Sequence, residues 1–193
     1  MGADRPGRLR IVAGNWRSRV LPVAAVEGLR PTSERVRETL FNWLGPRIVG
    51  QRALDLFAGS GALGFEALSR GASDVVFVER STRAVAALRE AASLLDASGA
   101  DIRNDDANRY LNACEPDSFD LVFLDPPFAD DSLTELCRLI SDKRIVRRGG
   151  RVYIEQDRQA NEAVLPGGWE LLKSKTAGNV RYSLVSVQGE QCQ

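Results

Sequence analysis

Residues Asp55 to Gly64 read DLFAGSGALG, and this stretch decides the fold. It follows a short β-prone run, Ala53–Phe57, and leads into a helical pattern at Leu63–Arg70. Gly59, Gly61 and Gly64 stand in G-x-G-x-x-G spacing, which lets the backbone turn sharply and approach a ligand closely beside the positive N-terminus of a helix. Strand patterns recur downstream at Val75–Glu79, Asp101–Asn104, Leu121–Leu124 and Arg151–Ile154, and helical patterns at Arg83–Leu95, Ala107–Cys114 and Leu133–Ile140. Alternation of this kind predicts an α/β fold with a parallel sheet covered by helices. Trp169–Lys175 and Val180–Val187 flank Gly178-Asn179 and predict a closing antiparallel hairpin. The expectation is a Rossmann-like, seven-stranded sheet with one reversed strand.

The glycine loop alone does not choose between NAD and S-adenosyl-L-methionine. Asp55 tips the choice, because dinucleotide sites usually carry an apolar residue four positions before the first glycine. A carboxylate there suits a cationic, amine-bearing ligand and repels a pyrophosphate. Glu79, closing the second strand, is placed to accept both ribose hydroxyls. Asp106 follows the third strand and has two readings: it orients the adenine amine, or it caps the helix beginning at Ala107.

The fourth strand ends in DLVFLDPPF, Asp120 to Phe128. Neither Pro126 nor Pro127 can donate to a sheet ladder, so the chain must leave the sheet there as a rigid turn. In an open α/β sheet ligands sit beyond the carboxyl ends of the strands, which places Asp125 beside the cofactor. Asp125 and the Pro126 carbonyl can accept the two N–H bonds of an exocyclic nucleobase amine and aim its lone pair at a methyl group. Phe128 offers a face for stacking, and the prolines fix the carbonyl direction. Such a base must leave its stack or lie in a loop.

Composition narrows the chemistry. The chain of 193 residues has no histidine, which removes Ser-His-Asp and Cys-His catalysis and the commonest zinc sites. Three scattered cysteines, Cys114, Cys137 and Cys192, suggest neither a disulfide framework nor a thiolate metal site, so no metal is expected and a reduced, cytoplasmic location fits. No apolar run approaches the ~20 residues of a membrane helix. The net charge is zero, yet residues 1–47 carry nine Arg against four acidic residues, a balance of +5 offset over the remainder. The N-terminal quarter is therefore the part suited to a polyanion. Arg10–Leu21, RIVAGNWRSRVL, predicts a β-hairpin turning at Gly14-Asn15 and carrying Trp16, Arg17 and Arg19. Ser33–Leu44 predicts an amphipathic helix with Val36, Leu40, Trp43 and Leu44 inward. The expected organisation is an N-terminal hairpin extension over residues 1–29 and a catalytic domain over residues 30–193.

Together these blocks resemble one family, the bacterial RsmD-type 16S rRNA guanine-N2 methyltransferases. The resemblance runs from RIVAGNWRSRVLPV through LRPTSERVRETLFNWL, DLFAGSGALGFEALSRG and DLVFLDPPF to KTAGNVRY. It implies a class I methyltransferase fold and methyl transfer from S-adenosyl-L-methionine to the N2 amine of one guanine in 16S rRNA, within a small-subunit assembly particle, by a monomer. It implies cofactor positions at Asp55, Phe57, Gly59, Ser60, Gly61, Glu79 and Asp106, with Asp105 the neighbouring choice for the adenine contact. It implies a catalytic motif at Asp125, Pro126, Pro127 and Phe128. Arg30, Thr32, Arg35 and Arg37 lie in the block before the core, where they touch RNA or close over the cofactor. The rivals are a DNA methyltransferase acting on adenine N6 or cytosine N4, an NAD-dependent oxidoreductase, and a nucleic-acid-binding module without catalysis. Asp55 and the Asp-Pro-Pro-Phe motif argue against the oxidoreductase.

Overall fold

The computed structural model describes residues 7–24, 32–127 and 132–188. Strands β1 (Gly7–Arg10) and β2 (Val20–Val23) pair antiparallel, with Leu9 opposite Leu21. Leu9, Leu21 and Val23 point inward while Arg8, Arg10 and Pro22 face solvent, as a period of two dictates. The hairpin differs from the sequence expectation. Its strands lie further out, and residues 11–19, including Trp16, Arg17 and Arg19, form a loop instead of a tight Gly14-Asn15 turn.

The physical reason is that the loop finds its hydrogen-bond partners on a helix. Helix α1 spans Glu34–Leu44, and α2 spans Ala62–Ser69. Val12 and Ala13 N–H donate to the Glu66 carboxylate at 2.8 and 3.0 Å, Asn15 N–H to the Ser69 carbonyl at 2.7 Å, and Trp16 N–H to Ser69 Oγ at 3.0 Å. Gly14 passes so close that an added Cβ would lie 1.8 Å from the Ser69 carbonyl oxygen. Backbone donors satisfied in this way have no need of a neighbouring strand.

Helix α1 starts at Ser33, whose hydroxyl accepts the Val36 N–H at 3.3 Å. A short 3-10 turn, Gly45–Ile48, follows it. The alternating units are β3 (Arg52–Asp55), α2, β4 (Asp74–Glu79), α3 (Thr82–Leu95), β5 (Ala100–Asn104), α4 (Ala107–Ala113), β6 (Phe119–Leu124), α5 (Leu133–Asp142) and β7 (Val146–Asp157). The hairpin of β8 (Trp169–Ala177) and β9 (Val180–Val187) completes a seven-stranded sheet in the order β5-β4-β3-β6-β7-β9-β8. Pairings from β5 across to β7 are parallel, and β9 runs antiparallel to both β7 and β8.

Each face of the sheet has its own core. One holds Phe41, Phe65, Phe77, Phe123, Tyr153 and Tyr182 beneath α1, α2 and α3; the other holds Leu54, Val122, Leu136, Ile140 and Val152 beneath α4 and α5. Leu9, Ile11, Leu21 and Val23 belong to the first of these, so the N-terminal hairpin packs into the same core as α1 to α3. Trp43 stacks on Tyr182 with centroids 5.4 Å apart, fastening α1 over the reversed strand.

Candidate active site

The sheet changes winding direction at β3, whose neighbours β4 and β6 lie on opposite sides. A crevice opens there beyond the carboxyl ends of the strands. Asp55 closes β3, Glu79 closes β4 and Asp125 follows β6 directly. Gly59 and Gly61 take left-handed φ values of 51° and 75°, and Gly64 leaves no room for a Cβ, which would meet the Phe77 ring at 2.2 Å. That contact brings the N-terminal turn of α2 down onto β4. Ser60 and the half-buried Phe57 complete the loop.

The acidic groups around the loop are held by backbone donors. Asp55 is buried, and its Oδ2 accepts the Gly64 N–H at 3.0 Å. Burial pushes its carboxyl up to about 7, the Gly64 N–H opposes that rise, and the charge of Glu79 adds to it. Glu79 is fixed at the mouth of the crevice, with Oε2 accepting the Gly59 N–H at 3.0 Å and Oε1 the Ser81 N–H at 2.7 Å. Asp106 follows the capping reading: its Oδ1 accepts the N–H groups of Asn108 and Arg109 at 3.0 and 3.1 Å. Asp105 pairs with the Arg109 side chain and accepts the Asp106 N–H at 2.6 Å, so both aspartates serve the start of α4.

Across the crevice, Asp125 is half-buried, Pro126 is buried and Pro127 is exposed, while Phe128 lies outside the described residues. Asp125 Oδ2 accepts a hydrogen bond from Thr32 Oγ1 at 3.3 Å. Its pKa is raised well above the ordinary carboxylate value by desolvation, then by the charges of Glu155 and Asp55, with the Thr32 hydroxyl pulling the other way. Glu155 is buried near the end of β7 and accepts the Tyr153 O–H at 2.8 Å. A cleft of about 250 Å³ opens beyond these strand ends, lined by Pro126, Pro127, Glu155, Gln156 and Asn161 among others.

The residues expected to meet RNA separate into two groups. Arg17 and Arg35 are exposed, and Arg19 is exposed while donating to the Leu94 carbonyl at 2.9 Å. Trp16 is half-buried against the core, Thr32 is buried over Asp125, and Arg30 lies outside the described residues. Arg37 corrects the sequence reading. Only 1% of it is exposed, and its guanidinium donates to Glu66 Oε2 at 2.9 Å, the Arg10 carbonyl at 2.8 Å and the Thr32 carbonyl at 3.1 Å. It braces the site from behind and presents nothing to RNA. Sequence reading also missed Glu66, a lone carboxylate inside an otherwise apolar helix, and Glu155, a carboxylate directly after the apolar run Val152–Ile154 much as Asp125 follows β6. Those placements were the available signals.

A family model described as Conserved hypothetical protein 95 matches residues 9–186. Ribosomal RNA small subunit methyltransferase D of Escherichia coli is 41% identical over 186 residues, covering 95% of this chain and 93% of that protein. The chain belongs to the RsmD-type methyltransferase family. The RsmD relative from Haemophilus influenzae is 42% identical over 181 residues, with 92% and 93% covered. The solved structure of yhhF from Escherichia coli superposes with a TM-score of 0.88 at 38% identity, covering 95% of this chain and all of that one. SMU.776, solved with SAH, shares the fold at 17% identity with a TM-score of 0.71.

As an RsmD-type protein the chain is a class I methyltransferase, and its cofactor is S-adenosyl-L-methionine. The crevice suits that molecule. Asp55 is a desolvated carboxylate that gains by meeting a cation, the left-handed glycines leave space for close approach, and Glu79 is pre-oriented by two N–H donors. Asp55, Phe57, Gly59, Ser60, Gly61 and Glu79 would hold it, and when bound it supplies an electrophilic methyl group on a sulfonium.

Proposed function

We propose that the protein methylates the N2 exocyclic amine of a guanine in 16S rRNA. The observation that carries this reading is Asp125 followed by Pro126, two acceptors at the end of β6 at the cofactor edge of a sheet whose family relatives are named for small-subunit ribosomal RNA. The guanine amine is a poor nucleophile because its lone pair is delocalised into the ring. Accepting its two hydrogens at Asp125 Oδ and the Pro126 carbonyl localises that pair and aims it. S-adenosyl-L-methionine, when bound, would supply the methyl group in exchange for its sulfonium S–C bond, and one amine proton would leave to Asp125 or water. Proline rigidity supplies the positioning, and the partial burial of Asp125 strengthens its electrostatic hold. Amines of adenine or cytosine in DNA are not favoured, since the relatives are named for ribosomal RNA.

Arg8, Arg10, Arg17, Arg19, Arg35 and Arg47 are the described arginines of residues 1–47 that are exposed, and they supply the charge that would meet RNA phosphates. The relatives are named for small-subunit ribosomal RNA, and we take an assembly particle of that subunit to present the base. Large exposed apolar residues, Val20, Val49, Leu94, Val164 and Leu171, are scattered over separate elements among the described residues, as suits a monomer. Among those residues no helix is long and apolar enough to cross a membrane, and Cys114 and Cys137 are free thiols, which fits work in the cytoplasm. Residues 1–29 act as the RNA-facing extension and residues 30–193 as the catalytic domain.

Asp125→Ala is expected to leave cofactor affinity within a factor of two or three and to lower methyl transfer by roughly 100-fold or more. The measurement is S-adenosyl-L-methionine binding beside mass-spectrometric mapping of the modified nucleotide in 16S rRNA, with and without ribosomal proteins. Unchanged turnover in the variant, or a methyl group found anywhere but guanine N2, would sink this assignment.

A further inference from the structure

The reaction as described leaves one buried carboxylate at the site without a task. β6 and β7 pair in parallel with Phe123 opposite Tyr153 and Leu124 opposite Ile154, so Asp125 and Glu155 leave the sheet side by side on the face that carries Phe123 and Tyr153. Only 5% of Glu155 is exposed. Its Oε2 is held by the Tyr153 hydroxyl at 2.8 Å, and its Oε1 takes no donor among the described residues. Glu155 lines the cleft beside Pro126 and Pro127, so the unpartnered oxygen belongs to a nine-tenths-buried side chain that meets open space. An acceptor oxygen that reaches the cleft from an otherwise buried side chain is open to a donor from a ligand.

We infer that Glu155 is a specificity-determining residue that selects guanine, its carboxylate accepting the N1–H of the base whose N2 amine is held by Asp125 and the Pro126 carbonyl. The inference rests on the guanine-N2 reading and deepens it. Guanine presents two adjacent donors on its pairing edge, N1–H and the N2 amine. Adenine and cytosine also carry amines there, but the ring nitrogen beside each amine, N1 of adenine or N3 of cytosine, is an acceptor. Asp-Pro-Pro by itself can hold any of the three amines. A second carboxylate one strand over sets lone pair against lone pair for the two wrong bases and forms a charge-assisted bond with the right one. Tyr153 is a positioning residue here: its hydroxyl fixes the direction of the carboxylate and opposes the upward pull of burial on its pKa.

The decisive probe is 2-aminopurine placed at the target position of 16S rRNA in reconstituted small subunits. This base keeps the 2-amine, replaces N1–H by an acceptor and lacks O6, so the change of preference in a Glu155 variant isolates the N1 contact. Wild-type protein is expected to prefer guanine over 2-aminopurine by on the order of 100-fold in kcat/KM. In Glu155→Gln, whose side-chain amide can donate to the bare N1, guanine turnover falls and the preference shrinks about tenfold or more. A wild-type preference near unity, or an unaltered preference in the variant, overturns the inference while leaving guanine-N2 methylation standing. Wild-type protein that leaves guanine N2 unmethylated overturns the proposed function and the inference with it. A wild-type preference near unity needs no substitution, so that outcome overturns the inference even if the variant fails to fold.

Discussion

Asp55 shows how much one residue can carry. Sequence marks it as a carboxylate where an apolar residue would be ordinary, yet its chemistry depends on burial that only the fold supplies. With its pKa raised from 3.8 to about 7, the proton is bound more tightly in the folded chain than in the unfolded one. Its favourable contribution is therefore fully present below pH ~4 and is lost as pH rises through about 7. Without cofactor, denaturant unfolding across that window is expected to show stability falling by a few kcal/mol, with Asp55→Asn flattening the slope. A cationic ligand reverses the preference. Calorimetry near pH 6 in buffers of different ionisation enthalpy should find protons released on cofactor binding, and fewer from Asp55→Asn; equal release in both would detach Asp55 from the cofactor. Glu155 was not legible in the same way, because its neighbour Asp125 is thirty residues away and only strand register brings them together.

Between elements, the same dependence on register governs Glu66. Its side chain is fully buried and binds Arg37, Arg70 and two loop N–H groups, which join the N-terminal hairpin, α1 and α2 at one carboxylate. Removing one member of such a buried network costs about 3–5 kcal/mol, and Glu66→Gln is expected to fall in or just below that range by chemical denaturation. Limited proteolysis should then cut first in residues 11–19; cleavage elsewhere would mean that the carboxylate does not hold the loop. Strands and helices were legible because their periodicity is local: β9 was read over Val180–Val187 and has those bounds, and α1 begins one residue after the predicted start. The hairpin turn was misplaced because Gly14-Asn15 has the composition of a tight turn, while its actual partner is Ser69 on α2. Arg37 was misread because a buried guanidinium and a solvent-facing one look alike until Glu66 is placed opposite.

Over the whole molecule, the +5 balance of residues 1–47 is the feature that sequence conveyed best, and the structure divides it by exposure. Arg17→Gln with Arg35→Gln is expected to weaken RNA binding and to reduce the slope of log affinity against log salt by up to about one for each phosphate no longer neutralised. An unaltered slope, measured by anisotropy between about 50 and 200 mM salt, would remove both arginines from the RNA face. Arg37→Gln should instead lower stability and leave that slope alone. The strand order carries a further consequence for a chain that is still being synthesised. Ala53 pairs with Val75 on one side and Leu121 on the other, so β3 shows a bare edge until β6 emerges, whereas β7, β8 and β9 close among near neighbours. Asp55, Gly59, Gly61 and Glu79 all precede that late strand; Asp125 and Glu155 come with it and after it. On the proposed assignment, the nascent protein acquires the parts that hold its methyl donor before those that choose what to methylate.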